Sequence, residues 1–356
     1  MHIASVGTAH PPNRYEQSDL IAAFEKHWAQ KHHNVRRVAQ LHTAAQVGGR
    51  WLALPMDEYL GLDFGGANDA FIRVGTDVAA EALTTALAAA ELEPRDVDLI
   101  IFTTVTGVAA PSIDARLVNR LGLRSDVKRV PMFGLGCVAG AAGTARLHDY
   151  LRAYPDQVAV LVSVELCSLT LQRTDLSIAN LIASGLFGDG AAAMVAVGDA
   201  RAAQMGLKPG TGGPRVTAHQ SRFYPDTEGV MGWEIGKGGF KIVLSPEVPD
   251  MVTRFLGDDL DAFLTLHNLT RADITSWVCH PGGPKVLVAF EQTLGLTQDD
   301  LALTWKSLRE VGNLSSASVL HVLHDTIAER RPEPGAIGVM LAMGPGFCSE
   351  LVLLEW

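Results

Sequence analysis

The chain has 356 residues, of which 47% are hydrophobic and 19% are charged, and its formal net charge is −10. This length can bury the core of one large domain or of two to three smaller ones, and the acidic balance argues against a general polyanion-binding protein. No apolar run approaches the roughly 20 residues of a membrane-spanning helix, and the first residues lack the pattern of a signal peptide, so we expect a cytoplasmic protein.

The predicted elements alternate between helices and strands along the chain. The first strong signals are an Ala- and Leu-rich helix over 76–92 and an apolar strand over 97–105. Short apolar runs predict further strands over 158–164, 190–197, 277–279, 336–343 and 351–355. Because these runs are apolar on both faces, they favour a sheet that is covered by helices on both sides. The sequence therefore predicts an α/β fold.

Two helix-forming stretches repeat one pattern about half a chain apart. The stretch 136–149 begins with Gly-Cys and the stretch 312–325 begins with Gly-Asn, and both end in Leu-His-Asp at an offset of 176 residues. Helices rich in Ala, Gly and Ser can approach other backbone closely, so we expect both at the centre of the molecule. We interpret the repeat as an internal duplication, with halves over 1–205 and 206–356. A chance match between two helices rich in small residues is the alternative.

Cys137 is the first candidate for chemistry, because it lies in a glycine-flanked turn between a predicted strand and a predicted helix. The four cysteines form no CxxC pair, and their scatter argues against a disulfide scaffold. At the start of a helix, unpaired N–H groups and the helix dipole favour the nucleophilic thiolate, and nearby N–H groups can hold an oxyanion. A buried structural thiol is the alternative interpretation.

His280 and Asn313 are the other two candidates. His280 ends an apolar run and begins the loop His-Pro-Gly-Gly-Pro, in which the prolines fix the backbone and the glycines leave space beside the ring. Asn313 falls on the position of Cys137 when the two repeats are overlaid. Two pseudo-symmetric helix starts that face one cavity would bring the three side chains together. A hydrogen-bonded structural histidine and a helix-capping asparagine are the alternatives.

Five separated motifs resemble those of the type III polyketide synthases, the chalcone-synthase-like branch of the thiolase superfamily. They are Gly-Cys137-Val-Ala-Gly, Leu-Phe187-Gly-Asp-Gly, His280-Pro-Gly-Gly-Pro-Lys, Gly-Asn313-Leu-Ser-Ser and Gly344-Pro-Gly-Phe. The resemblance runs from the first strand to the last and implies the duplicated αβαβα thiolase fold, with the cysteine in the N-terminal half and the histidine and asparagine in the C-terminal half. It also implies a homodimer that uses CoA thioesters, with no cofactor, no metal and no nucleic-acid partner.

The resemblance assigns roles to positions of this chain. Cys137 matches the acyl-carrying nucleophile, and His280 and Asn313 match the other two catalytic positions. Phe187 matches the first gatekeeper phenylalanine between the entrance tunnel and the cavity. The second gatekeeper position falls on Ile242, which is not aromatic, with Phe240 as the other option in the same segment.

Pocket and CoA positions follow from the same resemblance. The residues implied to line the substrate pocket are Thr174, Ala110, Ser315, Met343, Gly344, Pro345 and Gly346. The residues implied to bind CoA are Arg36, Arg37, Arg50, Lys285, Gly282 and Gly283. Ala110 stands about where plant chalcone synthases carry methionine, and Met343 stands where they carry phenylalanine, which suggests space for a long acyl chain.

The residue types fit an iterative decarboxylative Claisen condensation of malonyl-CoA onto an acyl-CoA starter. A thiolate accepts the starter, and neutral His280 with the Asn313 amide can hold the enolate oxygen that forms when malonyl-CoA loses CO₂. We further expect Cys137 and His280 to form an ion pair at rest, which would hold the thiol pKa below the free-thiol value of about 8.5.

Several segments resemble bacterial members of the family that make alkylpyrones or alkylresorcinols, so we expect a long-chain fatty acyl-CoA starter. Two alternative functions stay open at this point. One is a ketoacyl-synthase-III-like enzyme that performs a single condensation with an acyl carrier protein, and the other is a non-catalytic acyl-CoA-binding protein.

Overall fold

The computed structural model of the protein describes residues 1–27, 35–207 and 212–356. Its strands are β1 (His2–Ala9), β2 (Asn13–Glu16), β3 (Gly49–Leu52), β4 (Val97–Thr104), β5 (Lys128–Phe133), β6 (Val158–Leu166), β7 (Asp189–Val197), β8 (Arg215–Phe223), β9 (Met231–Gly236), β10 (Gly239–Leu244), β11 (Ile274–Cys279), β12 (Ile337–Gly344) and β13 (Cys348–Glu355).

Its helices are α1 (Gln17–His27), α2 (Val35–Ala44), α3 (Phe64–Ala89), α4 (Ile113–Leu121), α5 (Ala139–Ala153), α6 (Ile178–Leu186), α7 (Asp199–Gln204), α8 (Val248–Met251), α9 (Gly257–Leu266), α10 (Pro284–Leu294), α11 (Ala302–Val311) and α12 (Ser318–Glu329). Short 3₁₀ helices occupy Met56–Gly61, Pro94–Asp96, Gly136–Val138, Cys167–Thr170, Arg271–Asp273 and Ser315–Ala317, and a π-helical turn occupies Val252–Leu256.

Nine of the described strands form one sheet in the order β11-β12-β13-β8-β1-β7-β6-β4-β5. In the first half β4 and β6 are parallel, and β7 and β1 then follow antiparallel. In the second half β11 and β12 are parallel, and β13 and β8 follow antiparallel. The second half therefore repeats the strand order and the strand directions of the first, as an internal duplication predicts. The division at residue 205 itself stays a prediction.

The complete burial of the central strands explains why apolar runs in the sequence predict their positions. Both β6 and β7 are buried at every position, so each needs apolar residues on both of its faces. The predicted strands all occur, and several are a few residues longer than predicted. The predicted helix over 76–92 starts earlier, at Phe64, because the Asp63 carboxylate caps it by accepting a hydrogen bond of 2.8 Å from the backbone N–H of Gly66.

The two central helices, α5 and α12, meet at a glycine. A Cβ atom on Gly140 would lie 2.3 Å from the Ser316 carbonyl oxygen and 2.5 Å from Cγ1 of Val319, so only glycine permits this approach. The contact holds the start of α5 against the start of α12. The helix starts that carry Cys137 and Asn313 therefore lie side by side, one from each half of the chain.

Among the helices that the structure describes, none is both long enough and apolar enough to cross a bilayer.

Candidate active site

Cys137 lies in the 3₁₀ turn Gly136–Val138, directly before α5, where the sequence predicts a thiol at a helix start. The residue is 5% exposed. Its Sγ lies 3.6 Å from the hydroxyl oxygen of Ser315, which belongs to the other half of the chain. A Cβ on Gly136 would lie 2.9 Å from Cδ of Pro345, so the predicted Gly-Pro-Gly loop packs against the turn that holds the thiol.

Asn313 is held in place by its backbone and by its carboxamide. Its backbone N–H donates to the Leu186 carbonyl at 2.9 Å, and its carbonyl accepts from the Gly188 N–H at 3.0 Å. Its Oδ1 accepts from the Ser315 N–H at 2.8 Å, and its Nδ2 donates to the Gly282 carbonyl at 3.3 Å. The carboxamide oxygen thus bonds the first residue of the 3₁₀ helix Ser315–Ala317, but the cap residue of that helix is Leu314, so Asn313 does not act as a helix cap. The amide nitrogen carries two N–H groups, and the one that does not bond Gly282 is left for the Cys137 sulfur or for a ligand bound there.

His280 follows β11, and its backbone N–H donates to the Leu341 carbonyl at 2.8 Å. The residue is 3% exposed, and neither ring nitrogen has a hydrogen-bond partner among the described residues. The loop that begins at His280 is tied to Asn313 through Gly282, and Ser315 beside Asn313 meets the Cys137 sulfur. Two contacts thus connect the three predicted catalytic residues across the two halves.

Burial opposes a charge on either Cys137 or His280 alone. It raises the thiol pKa of Cys137 to about 12, while hydrogen bonds from Ser315 and Asn313 act in the opposite direction. Burial likewise lowers the pKa of His280 to about 3. A proton transfer from the sulfur to the imidazole would create two opposite charges together, and each would stabilise the other. The expected ion pair therefore depends on both groups at once and stays a prediction.

Glu165 is a buried carboxyl group beside this site that sequence analysis missed. Its Oε2 accepts from the Thr106 hydroxyl at 2.9 Å and from the Val105 N–H at 3.1 Å, and its Oε1 accepts from the Ser316 hydroxyl at 2.5 Å. Burial raises its pKa to about 7, and its charge in turn raises the pKa of Cys137. The sequence feature that could have identified it is that Glu165 is the only acidic residue in the apolar run that forms β6.

A cavity of about 560 Å³, a size that suits a small-molecule ligand, is lined by Phe187. Phe187 forms a backbone bridge with Asn313, which connects the cavity wall to the candidate site, but Cys137, His280 and Asn313 are not themselves among the lining residues. Lys26 also lines it and is exposed, which marks the side that faces solvent. The polar residues that line the cavity include Arg50, Tyr59, Ser168, Thr170, Arg173, Asn180 and Ser184.

The two options for the second gatekeeper separate in the structure. Ile242 lines the main cavity, and it pairs with Trp233 across the β9–β10 hairpin. Phe240 packs against Phe64 and Phe133, with ring centroids 5.7 Å and 6.3 Å away, and lines a smaller cavity of about 220 Å³. Ile242 is therefore the residue of this segment that meets the main cavity.

Several predicted pocket residues do not line the main cavity. Thr174 is exposed and lines the smaller cavity, because the chain turns outward after the 3₁₀ helix Cys167–Thr170. Ala110 is exposed in the loop that leaves the sheet after β4. Met343 ends β12 and packs into the buried core of the second half. Gly344 and Pro345 pack against the Cys137 turn, whereas Gly346 lies against Phe223, and none of the three lines the main cavity.

The residues predicted to bind CoA also differ in position. Arg37 is exposed on α2, and Lys285 is exposed in the first turn of α10, whereas the side chain of Arg36 lies outside the described residues. Arg50 is 3% exposed and lines the main cavity, so its predicted role in CoA binding stays a prediction. Its strand, β3, pairs with β2 and turns the side chain inward. Gly282 and Gly283 lie in the loop between His280 and α10.

One cluster among the described residues has the donor types of a metal site. His148, Asp149 and His219 each place a ligand atom within 4.8 Å of the others. The Asp149 carboxylate already accepts a hydrogen bond of 2.9 Å from Nε2 of His219 and pairs with Arg146 at 3.0 Å. Because the Asp149 carboxylate is already bonded to His219 and Arg146, we assign no metal to this cluster.

Two family models match separate parts of the chain. Residues 70–209 match the family described as FAE1/Type III polyketide synthase-like protein, and residues 215–355 match the C-terminal domain of chalcone and stilbene synthases. The chain is 55% identical over 355 residues to 1,3,6,8-tetrahydroxynaphthalene synthase of Streptomyces peucetius subsp. caesius, covering 99% of this chain and 93% of that protein.

Two further similarities agree with these matches. The chain is 31% identical over 361 residues to 3,5-dihydroxyphenylacetyl-CoA synthase of Streptomyces toyocaensis, covering 99% of this chain and 90% of that protein. The crystal structure of 1,3,6,8-tetrahydroxynaphthalene synthase from Streptomyces coelicolor A3(2), a bacterial type III polyketide synthase, superposes with a TM-score of 0.93 at 28% identity, covering 100% of this chain and 99% of that one.

Proposed function

This chain belongs to the type III polyketide synthases, and from that premise we propose that it builds an aromatic polyphenol from malonyl-CoA units. The family match confirms the predicted duplicated αβαβα thiolase-like fold, the acyltransferase activity and the condensation of malonyl-CoA. The observation that carries the mechanism is the convergence of Cys137, Asn313 and the His280 loop from the two halves of the chain.

In the loading step, Cys137 accepts the starter acyl group. The thiol gives its proton to His280, the sulfur attacks the thioester carbon, and the bond between that carbon and the CoA sulfur breaks. CoA leaves as a thiol when the imidazolium returns the proton. The position of Cys137 before α5 supports this step, because backbone N–H groups at a helix start stabilise negative charge on the attacked oxygen.

In the extension step, His280 and Asn313 hold a second malonyl thioester. When it loses CO₂, the electron pair of the broken carbon–carbon bond forms an enolate, whose oxygen requires hydrogen-bond donors. The free amide N–H of Asn313 and the N–H of neutral His280 supply them. The pKa of His280, which burial lowers to about 3, supports the neutral form. The enolate carbon then attacks the Cys137 thioester, and the Cys137 thiolate leaves. The extended chain is now a CoA thioester, and Cys137 accepts it again by the loading step before the next extension.

The product class is proposed from the relatives and from the cavity. Tetrahydroxynaphthalene, which is named in the relative at 55% identity, has ten carbons and oxygen on alternate positions, so five two-carbon units account for its skeleton without an alkyl tail. The guanidinium of Arg50 lines the 560 Å³ cavity with N–H groups that have no partner among the described residues, and these can donate hydrogen bonds to such an oxygen-rich chain. We therefore propose five malonyl units and ring closure to a hydroxylated naphthalene.

A fatty acyl starter is the second candidate. The observation that favours it is the smaller cavity of about 220 Å³, which shares Tyr59, Ser168, Leu171 and Arg173 with the main cavity and offers additional length. The sequence arguments for this starter carry less weight, because Ala110 and Met343 do not line the main cavity.

CoA binding is proposed at the solvent side of the cavity. Lys26 and Arg173 both line it and supply positive charge there, which suits the CoA phosphates. Neither residue was predicted from the sequence.

A homodimer is proposed from the exposed face of the first half. The strand β5 ends the sheet, and its residues Val130 and Phe133 are 43% and 48% exposed. Val108, which is 45% exposed, adds a third apolar side chain from the loop after β4. A second copy of the chain would cover this edge, and light scattering after size exclusion measures whether the chain is a dimer.

The proposed function is tested by mass spectrometry of the products made from malonyl-CoA alone and from malonyl-CoA with starters of increasing chain length. The proposal expects a ten-carbon polyphenol from malonyl-CoA alone. Products that form only when a long-chain acyl-CoA is present would refute it in favour of the second candidate.

A further inference from the structure

Arg50 is a buried cation whose hydrogen bonding is unusually sparse. The residue is 3% exposed, and its Nη1 donates to the Phe187 carbonyl at 2.6 Å. This is the only hydrogen bond of its guanidinium among the described residues, and its Nε is buried without a partner. A guanidinium has five N–H groups, so most of its donor capacity is unused.

No carboxylate neutralises this charge directly. Among the described residues, no Asp or Glu oxygen lies within the 4.0 Å that defines an ion pair with Arg50, and the segments 28–34 and 208–211 contain no acidic residue. Asp189 acts on Arg50 from a longer distance, but its own oxygens accept hydrogen bonds from the backbone of Ala53 and from Ser168. Burial lowers the pKa of Arg50 to about 10, so the guanidinium stays charged at neutral pH.

The charge of Arg50, which no carboxylate meets at ion-pair distance among the described residues, lies at the substrate cavity on the side of Asn313. Arg50 lines the 560 Å³ cavity. Its Cδ would lie 3.2 Å from a Cβ on Gly312, and the Phe187 carbonyl that it binds belongs to the residue bridged to Asn313. Asp189 acts on this buried cation only from beyond ion-pair distance, so an anionic ligand group in the cavity would stabilise the guanidinium further.

We propose that Arg50 binds the free carboxylate of a malonyl starter unit, so that the cavity selects an anionic acyl group over a neutral one. This inference rests on the proposed function, because it concerns the substrate of that site. CoA phosphates do not fit the position, since Arg50 is buried and the pantetheine arm separates the phosphates from the acyl group. An extender malonyl group does not fit either, because an ion pair would stabilise the carboxylate that has to leave as CO₂.

The test compares two acyl-CoA ligands of the same shape. Succinyl-CoA ends in a carboxylate, and 4-methylpentanoyl-CoA carries an isopropyl group in its place. Dissociation constants are measured by calorimetry in the Cys137→Ala protein, which cannot be acylated at this position. Because a hydrogen bond to a charged group contributes about 1.5–3 kcal/mol, succinyl-CoA is expected to bind roughly 10- to 100-fold more tightly.

Adding Arg50→Met should bring the ratio of the two constants close to one, and Arg50→Lys should keep part of the preference. A merely structural role would weaken both ligands equally and leave the ratio unchanged. Arg173→Met is the control for the ratio: Arg173 is proposed to meet the CoA phosphates, which both ligands share, so its loss should weaken both ligands alike and leave their ratio unchanged. A ratio near one before mutation, a ratio that survives Arg50→Met, or a preference that depends on Arg173 would each overturn the proposal.

If Arg50→Met does not fold, modification of arginine by phenylglyoxal gives a second measurement in the Cys137→Ala protein. Succinyl-CoA should protect the Arg50 peptide several-fold better than 4-methylpentanoyl-CoA, and equal protection would refute the anion site. Condensation is measured separately as CO₂ release from malonyl-CoA by the chain with Cys137 intact. Condensation without the ligand preference refutes the anion site alone, and absence of condensation refutes the proposed function.

Discussion

Replacing His280 by glutamine should reveal whether the imidazole is what ionises the Cys137 thiol. Burial alone raises the pKa of that thiol to about 12, so at pH 8 about one thiol in 10,000 would be ionised once the imidazole is gone. In the unaltered chain, proton transfer to His280 should give half-maximal ionisation below the free-thiol value of about 8.5. A thiolate of higher pKa is also more nucleophilic, with a Brønsted slope of about 0.4–0.5, which offsets part of the loss. Combining both effects for a starting pKa of about 8.5, alkylation at pH 8 should slow by roughly 40- to 100-fold.

The assay is the rate of iodoacetamide alkylation against pH, read on the peptide that contains Cys137 so that the other thiols do not contribute. In His280→Gln the midpoint of the profile should move upward by several pH units. His267→Gln is the control, because His267 is exposed and lies on the far end of α9. A midpoint near 8.5 in the unaltered chain, or a profile that His280→Gln leaves in place, would refute the coupled ionisation.

Three further substitutions test other parts of the account. Gly140→Ala should lower the free energy of unfolding by about 1–3 kcal/mol in chemical denaturation, because its Cβ would meet the Ser316 carbonyl oxygen at 2.3 Å. Gly143→Ala should lower it less, since its Cβ would meet only the flexible Leu161 side chain at 2.6 Å. Equal losses of stability in the two variants would contradict the close helix contact. Burial raises the pKa of Glu165 from 4.5 to about 7, so between these pH values the folded state holds a proton that the unfolded state has released. The free energy of unfolding should therefore fall by about 3 kcal/mol as pH rises from 4.5 through 7. Glu165→Gln should remove this fall, and the same pH profile of denaturation in the variant and the unaltered chain would argue that the carboxyl is not perturbed. Ile242→Phe should narrow the main cavity and shorten the products detected by mass spectrometry, because Ile242 lines that cavity. Ile235→Phe, on the exposed face of the same hairpin, should leave the products unchanged. Identical products from both variants would show that Ile242 does not limit the length of the product.

The parts of the fold that the sequence predicted are those in which burial dictates residue type. Strands such as β6 and β7 are covered on both faces and must be apolar throughout, and the small-residue helices must be central because only glycine and alanine permit their contact. By contrast, β8 was not predicted, because most of its positions are exposed or only partly buried and its residues are largely polar.

The three candidate catalytic residues could be picked out in the sequence because each lies in a short local pattern at a helix start or a strand end. The cavity could not, since its walls come from α1, the 3₁₀ helices Met56–Gly61 and Cys167–Thr170, α6 and the β9–β10 hairpin, and their proximity is a tertiary property. The burial of Arg50 could not be predicted for the same reason. An arginine in sequence suggests a solvated cation, and only the pairing of β3 with β2 and the backbone of Phe187 reveals that it is buried.

The central claim is that groups from both halves act on one thioester, and the acyl groups carried by Cys137 test it most directly. After brief incubation with malonyl-CoA, mass spectrometry of the Cys137 peptide should show a starter and a series of species that grow by two-carbon units. In Asn313→Ala the starter should load, but the series should be absent, because the enolate loses its amide donor. Acyl groups on a different residue, or an undiminished series in Asn313→Ala, would contradict the account.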